Sequence, residues 1–226
     1  MLELKNVTKR YKNNKGIYNI SFKAENGSIV GIVGANGSGK STLLSCISHG
    51  NCSGKINFYF NNFVYNPYMP EFFEYLGVVS SRFGFPVHYN AKIVCKILSM
   101  IYKRWSIEKF HSLLEYFELD NNLRIKAYST GMKHKLAISI AMAASPQLLI
   151  FDEATKSLDN NTVRKFKDII LKLKNEGKLI LFVSHVREEI EDLCDSIVLI
   201  HEGKLVFSGS ISDYRQIYDG ERREFL

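Results

Sequence analysis

Apolar and polar positions change their period several times along the chain, and each change predicts an element. Residues 2–9 and 17–23 alternate apolar with polar side chains, the period-two signature of half-buried strands. Asn13-Asn14-Lys15-Gly16 between them supplies a turn, so the two are predicted to pair antiparallel. Ser28-Ile29-Val30-Gly31-Ile32-Val33 is a short, almost continuous apolar run, as expected for a strand buried on both faces. Residues 54–60 read as a further strand closed by Asn61-Asn62. From 90 to 119 the spacing becomes helical: Val94, Ile97, Leu98 and Ile101, then Ile107, Phe110, Leu114 and Phe117, stopped at Asp120-Asn121-Asn122. An apolar helix is expected over 136–144, before Ser145-Pro146.

The second half alternates strands with helices. Gln147 to Glu153 is hydrophobic and ends in two carboxylates, Asp152 and Glu153; Val163, Phe166, Ile170 and Leu173 form a helical stripe. A strand is expected over 178–183, ending in Ser184-His185, then a short helix with Ile190, Leu193 and Cys194, then strands over 196–201 and 204–208 around Glu202-Gly203. Such alternation predicts an α/β chain with a parallel sheet. In an open parallel sheet, ligands gather at the carboxyl ends of strands.

The stretch Gly34-Ala35-Asn36-Gly37-Ser38-Gly39-Lys40-Ser41-Thr42 sits between the buried strand and the start of a helix at Thr42-Leu43-Leu44. It fits G-x-x-x-x-G-K-[ST], a loop whose amides point inward at an anion, whose Lys reaches the β- and γ-phosphates, and whose Ser hydroxyl serves Mg²⁺. Ser41 and Asp152 are therefore the candidate Mg²⁺ ligands for a nucleoside triphosphate. Glu153, next to the metal acid, is the candidate general base. His185 arrives on the same sheet edge, where it can donate to the γ-phosphate or the attacking water. Tyr11, at a strand end, is placed either to stack on a purine or simply to pack.

Composition narrows the classes. The chain has 226 residues, 46% hydrophobic and 23% charged, and a net charge of +7. The Lys and Arg residues are dispersed, which favours a solvated surface over a nucleic-acid interface. Cys46, Cys52, Cys95 and Cys194 contain no C-x-x-C pair, so neither a metal knuckle nor a disulfide framework is indicated. The N-terminus alternates like a strand, without a signal-peptide core, and no apolar run reaches the length that crosses a bilayer. Any membrane role is expected to run through a partner.

The phosphate loop, the helical stretch, Ser129-Thr130-Gly131-Met132, Asp152-Glu153, Ser157-Leu158-Asp159 and His185, in that order, resemble the ATP-binding subunit of an ABC transporter over essentially the whole chain. The resemblance implies an α/β fold: a P-loop NTPase core with an antiparallel β subdomain and an inserted α-helical subdomain near 82–144, all one domain of residues 1–226. It implies ATP and Mg²⁺ as cofactors. Tyr11 would stack on adenine, and Asn36, Gly37, Ser38, Gly39, Lys40, Ser41 and Thr42 would hold the phosphates. Ser129 and Gly131 would cap the γ-phosphate bound to a second ATP-binding subunit, and Ser157-Leu158-Asp159 would communicate between the two. The further partner is a transmembrane permease subunit, with the chain peripheral on the cytoplasmic face and neither inserted in the membrane nor bound to nucleic acid.

Thr130 and Met132, in place of a Gly and a Gln, resemble the form found in bacterial exporters of the ABC-2 type. Alignment on Gly77 and Gly84 puts Ser81 where the family places a Gln that reaches Mg²⁺ and water, which implies slow or partner-dependent hydrolysis. Phe72, Phe73, Tyr75, Phe83, Phe85 and Tyr89 form either an anchor patch for a permease helix or a small core. Two other readings stand beside the transporter subunit: a soluble ATPase of the same type acting on ribosomes, nucleic acid or assembly, and a slow ATP-dependent sensor or immunity module. The transported cargo is not encoded here.

Overall fold

The computed structural model describes residues 1–12, 15–80 and 84–218; Ser81 and Phe83 lie outside them. The chain begins with β1 (Leu2–Arg10) and β2 (Gly16–Ala24), paired antiparallel as their alternation predicts. Then come β3 (Ile29–Val33), α1 (Lys40–His49), β4 (Ser53–Phe60) and β5 (Phe63–Tyr65). A 3₁₀ turn at Pro70–Tyr75 leads into β6 (Leu76–Val79). Next are α2 (Ala91–Ile101), α3 (Ile107–Tyr116), α4 (Thr130–Ala143), β7 (Leu148–Asp152), α5 (Asn160–Asn175) and β8 (Leu179–Val183). The described chain closes with α6 (Arg187–Leu193), β9 (Ser196–His201), β10 (Lys204–Ser210) and α7 (Ile211–Tyr218).

These strands form two sheets. One is antiparallel, in the order β2-β1-β4-β5; the other runs β10-β9-β3-β8-β7-β6, parallel except for the β9–β10 hairpin. The central strands are buried on both faces, so alternate residues feed different cores. Leu149, Phe151, Ile180 and Phe182 join the core beneath α2–α5, whereas Leu148, Ile150, Leu179 and Leu181 join the one shared with α1 and the antiparallel sheet. Phe166 of α5 packs edge-on to Phe151 at 5.1 Å and against Phe182 at 6.3 Å between ring centroids. The helix is thereby fixed over the two strands that end at Asp152 and Val183.

Several elements depart from the sequence reading, each for a local reason. α4 starts at Thr130, six residues before the expected 136, because the Ser129 hydroxyl accepts from Met132 N and caps a turn with no apolar period. β5 is three residues long, too short for alternation to register, and is returned onto β4 by Asn61 and Asn62 at φ 48° and 63°. β6 is an edge strand; a Cβ on Gly77 would lie 2.5 Å from the Ala141 carbonyl, so only glycine lets α4 approach this closely. On α5 the buried first-turn residue is Thr162 rather than Val163, since its hydroxyl donates to Asp159 at 2.7 Å.

The aromatic set divides instead of forming one patch. Phe72 is fully buried against Phe58, and Tyr75 packs on Phe60 and Tyr65 with the Arg104 guanidinium 4.9 Å above its ring. Phe85 and Tyr89 rest on the helical core, and Phe73 is 38% exposed. Phe73 and Phe85, with Leu98, Tyr102, Trp105 and Ile140, line an apolar groove of about 380 Å³ beside α2 and α4. Among the described residues no helix is long and apolar enough to cross a membrane, and all four cysteines are free thiols.

Candidate nucleotide site

The loop between β3 and α1 is shaped by close approach. A Cβ on Gly34, at φ 146°, would sit 2.2 Å from the Ile200 carbonyl, and one on Gly39, at φ 115°, 2.7 Å from Ile17 Cγ2. Both demand glycine. The β9–β10 turn braces the loop from outside: Gly203 N donates to Ser38 O at 2.8 Å, and Tyr18 N donates to Gly203 O at 2.7 Å. β2, the phosphate loop and the last hairpin thus share one set of backbone bonds.

The N-terminus of α1 carries no side-chain cap and no acidic residue in its first turn. Its amides and helix dipole are available to an anion. Lys40 folds back on its own loop, donating to Gly34 O at 2.6 Å and Ala35 O at 3.1 Å. Burial pushes its ammonium down from the ordinary lysine range, and Asp152 and Glu153 pull it back up.

β7 and β8 deliver the acids and the histidine. Burial, then the neighbouring Glu153, raises the Asp152 carboxyl above its usual value, with Lys40 and His185 opposing. Glu153 takes a left-handed backbone, φ 54°, unusual for a side chain with a Cβ. That turn is held by Glu153 N donating to Val183 O at 3.0 Å. Its Oε1 receives His185 Nε2 at 2.8 Å and its Oε2 receives Lys156 Nζ at 2.9 Å. Lys156 first, and His185 after it, hold the Glu153 carboxyl below the usual range.

Tyr11, Asn36, Gly37, Gly39, Lys40, Ser41, Thr42, Asp152, Glu153 and His185 line one cleft of about 640 Å³. Ser38 does not line it; the side chain is buried and its hydroxyl has no partner among the described residues. Ser129 and Gly131 do not line it either. Ser129 is exposed, and Gly131 packs on the turn after Glu153, where a Cβ would lie 2.6 Å from Ser157 O. Asp159 caps α5 by accepting from Thr162 N at 2.9 Å and lies 3.8 Å from Lys135 of α4. Lys12 and Lys15, at the mouth beside Tyr11, are site residues that sequence reasoning missed; a lysine next to a candidate stacking aromatic was the available signal. Lys156 gave no signal, because its partner is fixed only by the turn.

Ser41 and Asp152 fit Mg²⁺. They are hard oxygen donors facing one cleft, and the Asp152 carboxyl is raised by burial and by the neighbouring Glu153. No group of three or more His, Cys, Asp or Glu side chains able to hold a metal occurs among the described residues. Two protein oxygens, completed by phosphate and water, suit Mg²⁺ rather than an all-protein cage.

Known proteins resemble this chain in sequence and fold. The ABC transporter family model matches residues 17–156. The ABC transporter ATP-binding protein NatA of Bacillus subtilis is 32% identical, with 100% of this chain and 95% of that protein covered. The bacitracin transport ATP-binding protein BcrA of Bacillus licheniformis is also 32% identical, over 91% of this chain and 68% of that protein. A dimeric ATP-binding cassette, in a post-hydrolysis state bound to ADP and Pi, superposes with a TM-score of 0.80 at 26% identity, covering 93% of this chain and 99% of that one. The family-model match over most of the chain, with a relative 32% identical along its whole length, makes the chain a member of the ABC transporter ATP-binding family, an ATPase of the P-loop class.

Proposed function

We propose that two copies of this chain close around two ATP molecules and that closure and hydrolysis drive a separate transmembrane permease, acting as an exporter. One observation carries the reading: the cleft gathers every expected nucleotide contact except Ser38, Ser129 and Gly131, and the last two lie on a separate surface of the same subunit. A cap missing from its own site is supplied by a second subunit, with the helical lobe of residues 82–144 carrying Ser129 and Gly131.

In this reading Tyr11 stacks on adenine while the loop amides and the N-terminus of α1 take the phosphates. Lys40 exchanges the Gly34 and Ala35 carbonyls for phosphate oxygens. Ser41 and Asp152 would hold Mg²⁺, which supplies neutralising charge at the β- and γ-phosphates. Glu153 takes a proton from the attacking water. His185, bonded to Glu153, orients that carboxylate and faces the γ-phosphate. The groove lined by Phe73, Phe85 and Trp105 receives a helix of the permease, which holds the chain at the cytoplasmic face of the membrane. The Thr130 and Met132 variant supports export, and the likeness to a bacitracin transport ATP-binding protein supports a transport role.

The test is sedimentation of Glu153→Gln with and without ATP, together with co-purification of the tagged native protein in mild detergent. An ATP-dependent shift to dimer and a stoichiometric multi-span membrane protein are expected. A monomer at all ATP concentrations, or a preparation that brings down ribosomes or nucleic acid instead, would overturn the reading.

A further inference from the structure

We propose that Glu189 is the positioning residue of the hydrolytic pair: its buried carboxylate ties the turn after Glu153 to the segment that carries His185. The inference rests on the roles given above to Glu153 and His185. Glu189 lies on α6, outside the nucleotide cleft, and is 6% exposed. A buried carboxylate is costly unless its oxygens are satisfied. Here a single oxygen, Oε2, accepts from Thr155 Oγ1 at 2.9 Å and from Ser184 Oγ at 2.6 Å. Ser184 Oγ in turn accepts from Val186 N at 3.0 Å. Each hydroxyl has one proton to give, and both protons are spent on this carboxylate.

The positions of the donors make the bridge informative. Thr155 follows Glu153 by two residues, and Ser184 and Val186 flank His185. Neither member of the pair is fixed by packing alone: the His185 side chain is 41% exposed, and Glu153 holds an unfavourable left-handed backbone. Thr155 and Ser184, by contrast, are buried. Rigid donors bound to one buried acceptor therefore set the spacing that the half-buried Glu153 and the exposed His185 inherit. The bridge also reaches the opposite surface. Thr155 O accepts from Leu158 N at 3.0 Å, and the carbonyl of Ser157, within that turn, abuts Gly131. A displacement of that turn when a second subunit docks is passed through Thr155 and Glu189 to His185.

The experiment compares Glu189→Leu with Glu189→Gln in the full chain, measuring kcat with Mg-ATP and the dissociation constant of a fluorescent ATP analogue. Gln keeps one oxygen able to accept from both hydroxyls; Leu keeps the volume and leaves both without an acceptor. Glu189→Leu is expected to lower kcat about tenfold while nucleotide affinity stays within about twofold, and Glu189→Gln to stay within about threefold of the parent. Should Glu189→Leu fail to fold, Thr155→Val combined with Ser184→Ala decides, since it removes the donors and leaves the acid; the same split between kcat and affinity is expected. An unchanged kcat in the leucine or double variant, a parallel loss of kcat and affinity, or a glutamine variant as impaired as leucine would overturn the proposal. Glu153→Gln is run alongside. If it keeps turnover, the assignment of Glu153 has failed; if it loses turnover while Glu189→Leu does not, the bridge alone has failed.

Discussion

Lys156 Nζ lies 2.9 Å from Glu153 Oε2, so the carboxylate proposed to activate water carries a counter-charge from three residues further along its own turn. With His185 on Oε1, both oxygens of Glu153 are engaged by side chains of its own subunit. A base in this condition has reduced basicity and both oxygens occupied. Lys156 itself is well exposed, so the contact contributes little to stability and its consequence is kinetic. Lys156→Ala should raise basal turnover severalfold. The sign follows from the cause: Lys156 depresses the Glu153 carboxyl, so its removal lifts that carboxyl and moves the acid limb of the rate profile to higher pH. Steady-state ATPase rates across pH for both proteins check this; an unchanged profile would show that Lys156 leaves Glu153 during turnover.

Tyr11 is 46% exposed at the mouth of the cleft, with its amide fixed to Lys15 O at 2.8 Å. A ring so little buried, on a backbone so held, is expected to contribute to binding rather than to folding. Tyr11→Phe should keep ATP affinity, and Tyr11→Ala should lose about 1–3 kcal/mol of it, the range for a base stacked on an aromatic. The melting temperature without nucleotide should stay within a degree or two, since no core contact is removed. Titration calorimetry with thermal denaturation separates the two effects.

The fold was legible where burial imposes a strong period. β1, β2, β3, β7 and β8 were readable from alternation or short apolar runs, and α2 and α3 from helical spacing, because each presents a face to a large core. Short pieces held by turns or tertiary contact were not: β5 depends on the Asn61-Asn62 reversal, and β6 on the absence of a side chain at Gly77. The site followed the same rule. Residues tied to the phosphate loop or to a strand's carboxyl end could be placed from sequence, since the topology puts those ends together. Lys156 and the Thr155–Glu189–Ser184 bridge depend on left-handed backbone at Glu153 and Ser157, which no periodicity signals.

Phe166 is the contact through which α5 holds the strands that end at the site. Its ring meets Phe151 and Phe182 directly, and it is fully buried. Phe166→Ala should destabilise the chain by about 3–5 kcal/mol. For a protein of this size that corresponds to a fall in melting temperature of about 6–20 °C. Saturating Mg-ATP should recover part of the loss by binding the folded state, by about 2.7 kcal/mol at a hundredfold excess over the dissociation constant. A fall of only a few degrees without nucleotide would mean that the neighbouring rings collapse into the space.

Gly131→Ala is expected to separate binding from hydrolysis most cleanly. It lies outside the cleft, and its Cα faces the Ser157 carbonyl so closely that an added methyl would have to displace the turn leading from Glu153 into α5. Glycine is required there for space, not for backbone freedom. In Gly131→Ala the N-terminus of α4 and the Ser157 turn must part by a few tenths of an ångström or more. Neither movement touches the phosphate loop. ATP affinity of the single subunit should therefore stay within about twofold, while ATP-dependent dimerisation and turnover fall at least about tenfold, each factor of ten corresponding to 1.4 kcal/mol of lost closure. Sedimentation with and without ATP, beside equilibrium binding at concentrations too low for association, measures the two separately. If Gly131→Ala weakens binding to the isolated subunit as much as it weakens hydrolysis, then the α4 end acts within its own chain and the cap does not come from a second copy.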